Sequence, residues 1–402
     1  MAARRAASEF PVVGLLVLAG AIFVSITSEF LPSGLLPEMA RELGVGESRI
    51  GLLVTVFAIT VVVSTTPLSA LTRNHSRKYL VVIVLLVNAA AAFLAAVAPN
   101  YGVLVGARVL GGLAHGLFWA VVGAYSGHLV PKHLIGRAVA ITSAGGTAAF
   151  VLGVPVGTAL GHVLGWRLAF AAVGAAMVVF AGLVLWLLPP VDHRVALATG
   201  EVPVPARRDP TLPAIIVICV VIVIVMMGQN VFYTYIAPWL ISVAGFSEDA
   251  VAPLLFLYGA AGVIGLIAAG IVADRFPRFG FVAMGAAFAL SVLLLALGAA
   301  NPVLVAVAVG LWGAGFGGLP AVLQARMLHT ASPRLRDLGA ALFTTSFNLA
   351  IGVGALIGAV LLDLFGLAVL PYVLVALVAT GLVVSLVAEA GLRGRALQGA
   401  SR

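Results

Sequence analysis

The sequence predicts an all-α membrane protein with twelve transmembrane helices arranged as two pseudo-symmetric six-helix bundles. Three observations carry that expectation. Only 9% of the 402 residues are charged, 62% are hydrophobic, and the mean hydropathy is +1.20. The apolar residues fall in runs long enough to cross a bilayer, and the second half of the chain repeats the punctuation of the first. A soluble domain carries about 25% charged residues, so a chain this apolar must use lipid as its solvent. The formal net charge of +8 would suggest nucleic acid in a soluble protein; in a membrane protein the positions of the basic residues matter more than their sum.

A span needs about 20 predominantly apolar residues. Such runs lie near 11–36, 48–70, 79–98, 101–129, 136–161, 166–188, 212–241, 249–272, 279–299, 302–328, 337–363 and 367–390. Arg4 and Arg5 precede the first run as in a signal peptide; that run continues for about twenty residues and more spans follow it, which argues for a membrane helix instead. The longest polar gap, 189–211, holds Pro189, Pro190, Pro203, Pro205, Arg207 and Arg208. It reads as a linker between a bundle at 1–188 and a bundle at 212–402.

The basic residues orient this map. With the N-terminus inside, 18 of the 22 fall on inner segments, among them Arg73, Arg77, Lys78, Lys132, Arg137, Arg275, Arg278, Arg326, Arg334 and Arg336. Only Arg41, Arg49 and Arg167 fall on outer segments, and Arg108 lies inside a span. This asymmetry predicts cytoplasmic termini, and hence an even number of spans. Lys78 and Lys132 are the only lysines among the 22 basic residues, an arginine bias that points to a GC-rich bacterial coding style and so to a bacterial plasma (inner) membrane.

An offset of 201 residues aligns the two halves: Pro37 with Pro238, Gly44 with Gly245, Glu47 with Glu248, Arg77 with Arg278 and Asn100 with Asn301. It also pairs Gly112 with Gly313, Gly116 with Gly317, Gly153 with Gly354, Gly157 with Gly358 and Gly165 with Gly366. Matches of Ala, Val or Leu carry little weight in this composition, whereas turn glycines, loop charges and a proline in one register do. Two six-span units repeated in parallel read as halves related by an axis along the membrane normal.

Several motifs resemble the major facilitator superfamily. Gly270-Ile-Val-Ala-Asp-Arg275 with Arg278 is similar to its loop motif between the second and third helices of a half; the counterpart from Leu68 to Lys78 has Thr72 where the acid usually sits. Arg108 with Gly111 and Gly112 resembles the fourth-helix arginine motif, and Gly153-Val-Pro-Val-Gly157 the glycine–proline motif of antiporters. Thr27-Ser-Glu-Phe30, Ala114-His-Gly-Leu-Phe-Trp119, Gly165-Trp-Arg167 and Ala341-Leu-Phe343 with Phe347-Asn348 are most similar to bacterial sugar-efflux transporters in the drug/sugar:proton antiporter group. The resemblance implies the major facilitator fold and a monomeric, non-enzymatic secondary transporter that exports a small polar solute such as a sugar against protons. Related branches export purine nucleosides or antibiotics of the chloramphenicol type, which stand as the alternatives.

Glu29 is the acid placed well inside a span, where an ionised carboxylate needs a partner or an aqueous cavity. It is either a proton site that shifts the balance between inward-open and outward-open states, or a carboxylate held by a structural hydrogen bond near the outer interface. Arg108 lies seven residues into span four, about 10 Å deep at 1.5 Å per residue. It can meet Glu29 as a coupling partner or as an ion pair that orients two helices. His115 and Trp119 follow on the same face, forming with Arg108 either a ladder for substrate or ordinary packing; His115 can also carry a proton.

On span seven, Gln229, Asn230 and Tyr233 offer amides and a phenol for solute hydroxyls or for helix–helix hydrogen bonds; Asn348 is a further candidate. Asn230 is the counterpart of Glu29 in the repeat. Gly153, Pro155 and Gly157 point to close helix approach with a bend, serving either as static packing or as a seal between half-channels. Asp274, with Arg275 and Arg278, would dock on a helix N-terminus as an inner latch. No G-x-x-x-x-G-K-[ST] loop, nucleophile–base pair or metal-ligand cluster stands out, and Cys219 is the lone cysteine. The expectation is a chain without cofactor, metal or nucleic acid, whose partners are its solute, protons and the lipid bilayer.

Overall fold

The computed structural model describes residues 11–72, 75–130, 135–189, 209–275, 280–332 and 335–400. Its helices are α1 (Val12–Leu43), α2 (Glu47–Thr72), α3 (Arg77–Ala96), α4 (Tyr101–His128), α5 (Ile135–Ala148), α6 (Val154–Leu164) and α7 (Trp166–Leu187). There follow α8 (Leu212–Tyr233), α9 (Ile236–Ser242), α10 (Glu248–Arg275) and α11 (Gly280–Leu297). The last are α12 (Pro302–Gly317), α13 (Leu319–Thr330), α14 (Arg336–Phe365) and α15 (Leu370–Ala400). Among the described residues there is no strand, and 12 helical stretches are long and apolar enough to cross a membrane. Most of the linker expected at 189–211, together with Arg278 and the side chains of Asp274 and Arg275, lies outside the described residues.

The internal repeat is visible in the backbone. The glycines with positive φ are Gly44 (63°), Gly245 (73°), Gly165 (90°) and Gly366 (79°), two pairs spaced by 201. Each ends a helix in a conformation that a side chain resists. Asn100 caps α4 by accepting from Val103 N, and Asn301 caps α12 by accepting from Val303 N and Leu304 N. A Cβ added to Gly116 would sit 3.2 Å from Val61 O, and one added to Gly317 2.1 Å from Gly262 O. Donor, acceptor and close approach thus recur in one register.

Prolines set where the spans differ from the expected boundaries. The first span was expected to end near 36, but α1 continues through Pro32 and Pro37 to Leu43. In the seventh span Pro238 has no N–H for the carbonyl of Thr234, and the helix breaks there into α8 and α9. The tenth span is split at Gly318, two residues before Pro320, into α12 and α13. In the fifth, a π turn at Ala149–Gly153 takes up the slack ahead of Pro155.

By contact the chain forms two compact units, 1–31 with 59–198 and 32–58 with 199–402. In the first, α5 and α6 run along α1 at glycine distance. A Cβ on Gly145 would lie 2.0 Å from Ala19 O, one on Gly153 2.0 Å from Thr27 Oγ1, and one on Gly157 2.7 Å from Leu31 Cδ1. The Gly165-Trp-Arg167 turn closes the end of α3: Arg167 Nη2 donates to Ala98 O at 2.9 Å and stacks 4.2 Å above the buried Trp166 ring.

In the second unit, the later part of α1 and the start of α2 pack on α8, α9, α10 and α14. Arg41 Nη2 pairs with Glu248 Oε1 at 2.6 Å, and Thr55 Oγ1 donates to Gly352 O at 3.0 Å. The Tyr235 hydroxyl donates to Ala355 O at 2.9 Å while lying where a Cβ of Gly51 would be.

Gly153→Val is expected to lower the melting temperature in detergent sharply, because its added atoms meet Thr27 where neither helix can retreat. Thr27→Ala in the same chain should return part of that loss.

Candidate functional site

Pro32 shapes the site. A proline inside a helix leaves the carbonyl four residues earlier without a donor, here that of Ser28, and in hydrocarbon such a group must find another. Arg108 supplies it from α4: Nη1 donates to Ser28 O at 3.0 Å and Nη2 to Glu29 O at 2.8 Å. Arg108 and Glu29 are buried, at 3% and 4% exposure. The expected meeting of the two residues occurs, with the guanidinium on the Glu29 backbone.

From Arg108, α4 runs antiparallel to α1, so His115 reaches Ser25, one turn before Glu29 on α1. His115 Nδ1 and Ser25 Oγ are 2.9 Å apart. The other ring nitrogen, Nε2, accepts from Trp119 Nε1 at 2.7 Å and lies 3.4 Å from Glu29 Oε2. An indole N–H only donates. The imidazole is therefore neutral in this arrangement, with its hydrogen on Nδ1 and donated to Ser25. Nε2 has a single lone pair, already used by Trp119. Glu29 Oε1 is buried without a hydrogen-bond partner. Two acceptors, Nε2 and an ionised Oε2, repel at this distance; one proton placed between them removes the repulsion.

The polar candidates of the second unit form a different kind of cluster. Gln229 Nε2 donates to the Tyr258 hydroxyl at 2.8 Å, and Gln229 Oε1 accepts from Trp312 Nε1 at 2.9 Å. Around this amide, Tyr258 and Trp312 rings lie 4.9 Å apart, Tyr233 and Tyr258 5.2 Å, and Phe232 and Trp312 stack at 5.1 Å. Asn230 and Asn348 turn their amide nitrogens back to their own helices, onto Met226 O at 2.8 Å and Thr344 O at 3.0 Å. The structure thus joins Gln229 and Tyr233 in one aromatic cluster and keeps the Asn230 and Asn348 donors local. Ser25, Tyr258 and Trp312 were not anticipated. Ser25 carried a signal, a hydroxyl four residues before Glu29 on one helix face. Among the described residues no group of three His, Cys, Asp or Glu side chains could hold a metal.

Twelve apolar helices in a repeated arrangement, with buried titratable and hydrogen-bonding side chains inside, define a multi-pass membrane transporter. The chain belongs to the Major Facilitator Superfamily, which it matches over residues 18–279 and 218–398. It is 30% identical over 374 residues to a protein of Helicobacter pylori (strain G27) described as "Probable sugar efflux transporter", covering 93% of this chain and 94% of that one. A protein of Helicobacter acinonychis with the same description is 29% identical over 352 residues, covering 87% and 88%. Among solved structures, a point mutant of the nucleoside transporter NupG superposes with a TM-score of 0.74 at 13% identity, covering 94% of this chain and 99% of that one. A bacterial homologue of the human lysosomal transporter Spinster, inward-facing and occupied, gives 0.71 at 15% identity, covering 93% and 96%. These two likenesses concern the fold.

Arg108→Ala is expected to strand the Ser28 carbonyl and destabilise the protein by about 1–3 kcal/mol, the usual cost of a buried group left unpaired. Pro32→Ala restores a backbone donor to that carbonyl. Thermal unfolding of Arg108→Ala, Pro32→Ala and the double variant should therefore show the double variant recovering part of the loss. Strictly additive losses would contradict the backbone role of Arg108.

Proposed function

We propose that this protein is a proton-coupled exporter of a small polar solute such as a sugar. It works by alternating access of the bundles 1–188 and 212–402 about the linker 189–211, as a monomer in a bacterial plasma (inner) membrane with both termini cytoplasmic. The observation that carries the coupling is the shared nitrogen of His115: Trp119 Nε1 at 2.7 Å and Glu29 Oε2 at 3.4 Å compete for it. A proton arriving on Nε2 turns that nitrogen from acceptor into donor. It then bonds the Glu29 carboxylate, and the Trp119 indole must leave. Loss of the proton reverses the exchange. Arg108, fixed on the carbonyls of α1, keeps a positive charge beside the carboxylate whichever partner holds the proton.

The solute class is supported by the sugar-efflux description of the curated relatives and by the aromatic rings gathered around the Gln229 amide. Sugar C–H faces stack on aromatic rings, and phenol hydroxyls exchange hydrogen bonds with sugar hydroxyls. The Gln229–Tyr258–Trp312 triad holds those rings in place. Asp274, Arg275 and Arg278 are retained as the inner latch, and the Gly153, Pro155 and Gly157 stretch as the close contact along which α6 and α1 move together.

Everted vesicles with an acidic interior should accumulate the transported sugar. In Glu29→Gln, accumulation should fall to the level seen without a gradient, while counterflow of labelled for unlabelled solute continues. Full gradient dependence in Glu29→Gln would remove Glu29 from coupling. Accumulation of a purine nucleoside or chloramphenicol, with no sugar transported, would transfer the mechanism to that substrate class.

A further inference from the structure

A cavity of about 140 Å³ lies between α8, α13 and α15, walled by Val217, Ile218 and Leu323 and carrying Arg326, Thr330 and Ser385 as its polar groups. Arg326 Nη1 donates to Ser385 Oγ at 3.1 Å, and its guanidinium lies 5.0 Å over the Phe281 ring. Ser385 is buried at 3% exposure.

The repeat shows that this chemistry belongs to one half. At the offset of 201, Arg326, Thr330 and Ser385 correspond to Tyr125, Leu129 and Val184. In the first unit those residues close the same place: Tyr125 and Val184 are fully buried, the Tyr125 hydroxyl donates to Pro189 O, and Leu129 packs on Leu15, Val130 and Ala138. In the second unit all three positions have become a cation or a hydroxyl, and a cavity has opened beside them.

A guanidinium flanked by two hydroxyls matches the oxygens of a phosphate, and the remaining walls match hydrocarbon. The helices bordering the cavity also expose large apolar side chains next to it: Ile216 and Val220 on α8, Leu386 and Val387 on α15. Hydrocarbon covers such faces in a membrane protein, so the cavity adjoins lipid, at the helix ends where basic pockets recruit acidic headgroups.

We propose that this cavity binds the phosphodiester of an anionic phospholipid, with Arg326 and the Thr330 and Ser385 hydroxyls as donors and an acyl chain leaving along Val217, Ile218 and Leu323. Which leaflet supplies the lipid rests on the orientation proposed above; the site itself does not.

Native mass spectrometry of the purified protein with phosphatidylglycerol, phosphatidylcholine or inorganic phosphate tests this without any transport assay. The expected result is one tightly retained phosphatidylglycerol, with phosphatidylcholine lost more readily. Arg326→Gln should weaken its retention by about tenfold, the factor that losing a charge-assisted hydrogen bond produces. Arg326→Lys should keep part of it, and the Ser385→Ala, Thr330→Val double variant should weaken it at unchanged charge. Arg77→Gln, a basic residue at the start of α3 outside the cavity, should leave it unchanged. Equal retention of both lipids, equal loss in Arg77→Gln and Arg326→Gln, or saturation of the site by inorganic phosphate alone would each overturn the proposal. A melting temperature for Arg326→Gln within a few degrees of the unmodified protein's separates lost binding from lost folding.

Discussion

Pro32 takes from α1 the donor that would have closed the helix at Ser28, and Arg108 returns it from α4. A side chain with several N–H groups in a fixed plane can serve two adjacent carbonyls at once, which sets both the depth and the rotation of α4 against α1. His115, two turns further along, can then only fall between Ser25 and Glu29. The Trp119 indole, a turn beyond that, reaches the same ring. A buried cation is costly in hydrocarbon, and here part of that cost is offset by satisfying a break in the backbone. The electrostatic surroundings of Glu29 are thus tied to the local structure of the helix that carries it.

Much of this was legible in the chain. The span map followed from hydropathy alone, because lipid admits few alternatives to continuous helices. The repeat could be read from glycines and asparagines, since left-handed turns and helix caps require particular residues and so leave marks that apolar positions do not. The same reasoning reached Glu29, Arg108, His115 and Trp119 as neighbours. It gave Arg108 the carboxylate as its partner, because buried charges are expected to pair with charges. The stronger demand came from the carbonyl freed by Pro32, three residues beyond Glu29. The first boundary, expected near 36, fell short because α1 runs on through Pro37 to Leu43. Tyr258 and Trp312 escaped notice because a buried aromatic in an apolar span gives no signal until its partner, Gln229, is seen beside it.

The two halves share a backbone and differ in chemistry. Glu29, Arg108 and His115 stand opposite Asn230, Val309 and Phe316 in the repeat, so the titratable groups lie in one half and an aromatic cluster around a neutral amide in the other. Duplication supplies matching frames, and each frame can then be specialised without disturbing the other, since the glycines and caps that hold it are distinct from the residues that changed. The Gln229 amide makes the point: it donates to the Tyr258 hydroxyl and accepts from the Trp312 indole, and so sets the geometry of the rings around it.

The helix that carries Glu29 also changes allegiance close by. By contact, α1 up to Leu31 belongs with α4, α5 and α6, and from Pro32 onward it belongs with α8, α9, α10 and α14. The point of exchange is the proline, where helical hydrogen bonding is already interrupted and bending costs least. Beyond it, the Arg41–Glu248 pair and the Thr55–Gly352 hydrogen bond hold the second unit's share of α1 and α2. Glu29 therefore lies within one turn of Pro32, where α1 passes from one unit to the other. Arg108 bears on both the carboxylate's surroundings and the backbone carbonyls of Ser28 and Glu29. Coupling a proton to helix movement needs a group that senses the first and holds the second; in the cycle proposed above, Glu29 would do the first and Arg108, on the Ser28 and Glu29 carbonyls, the second.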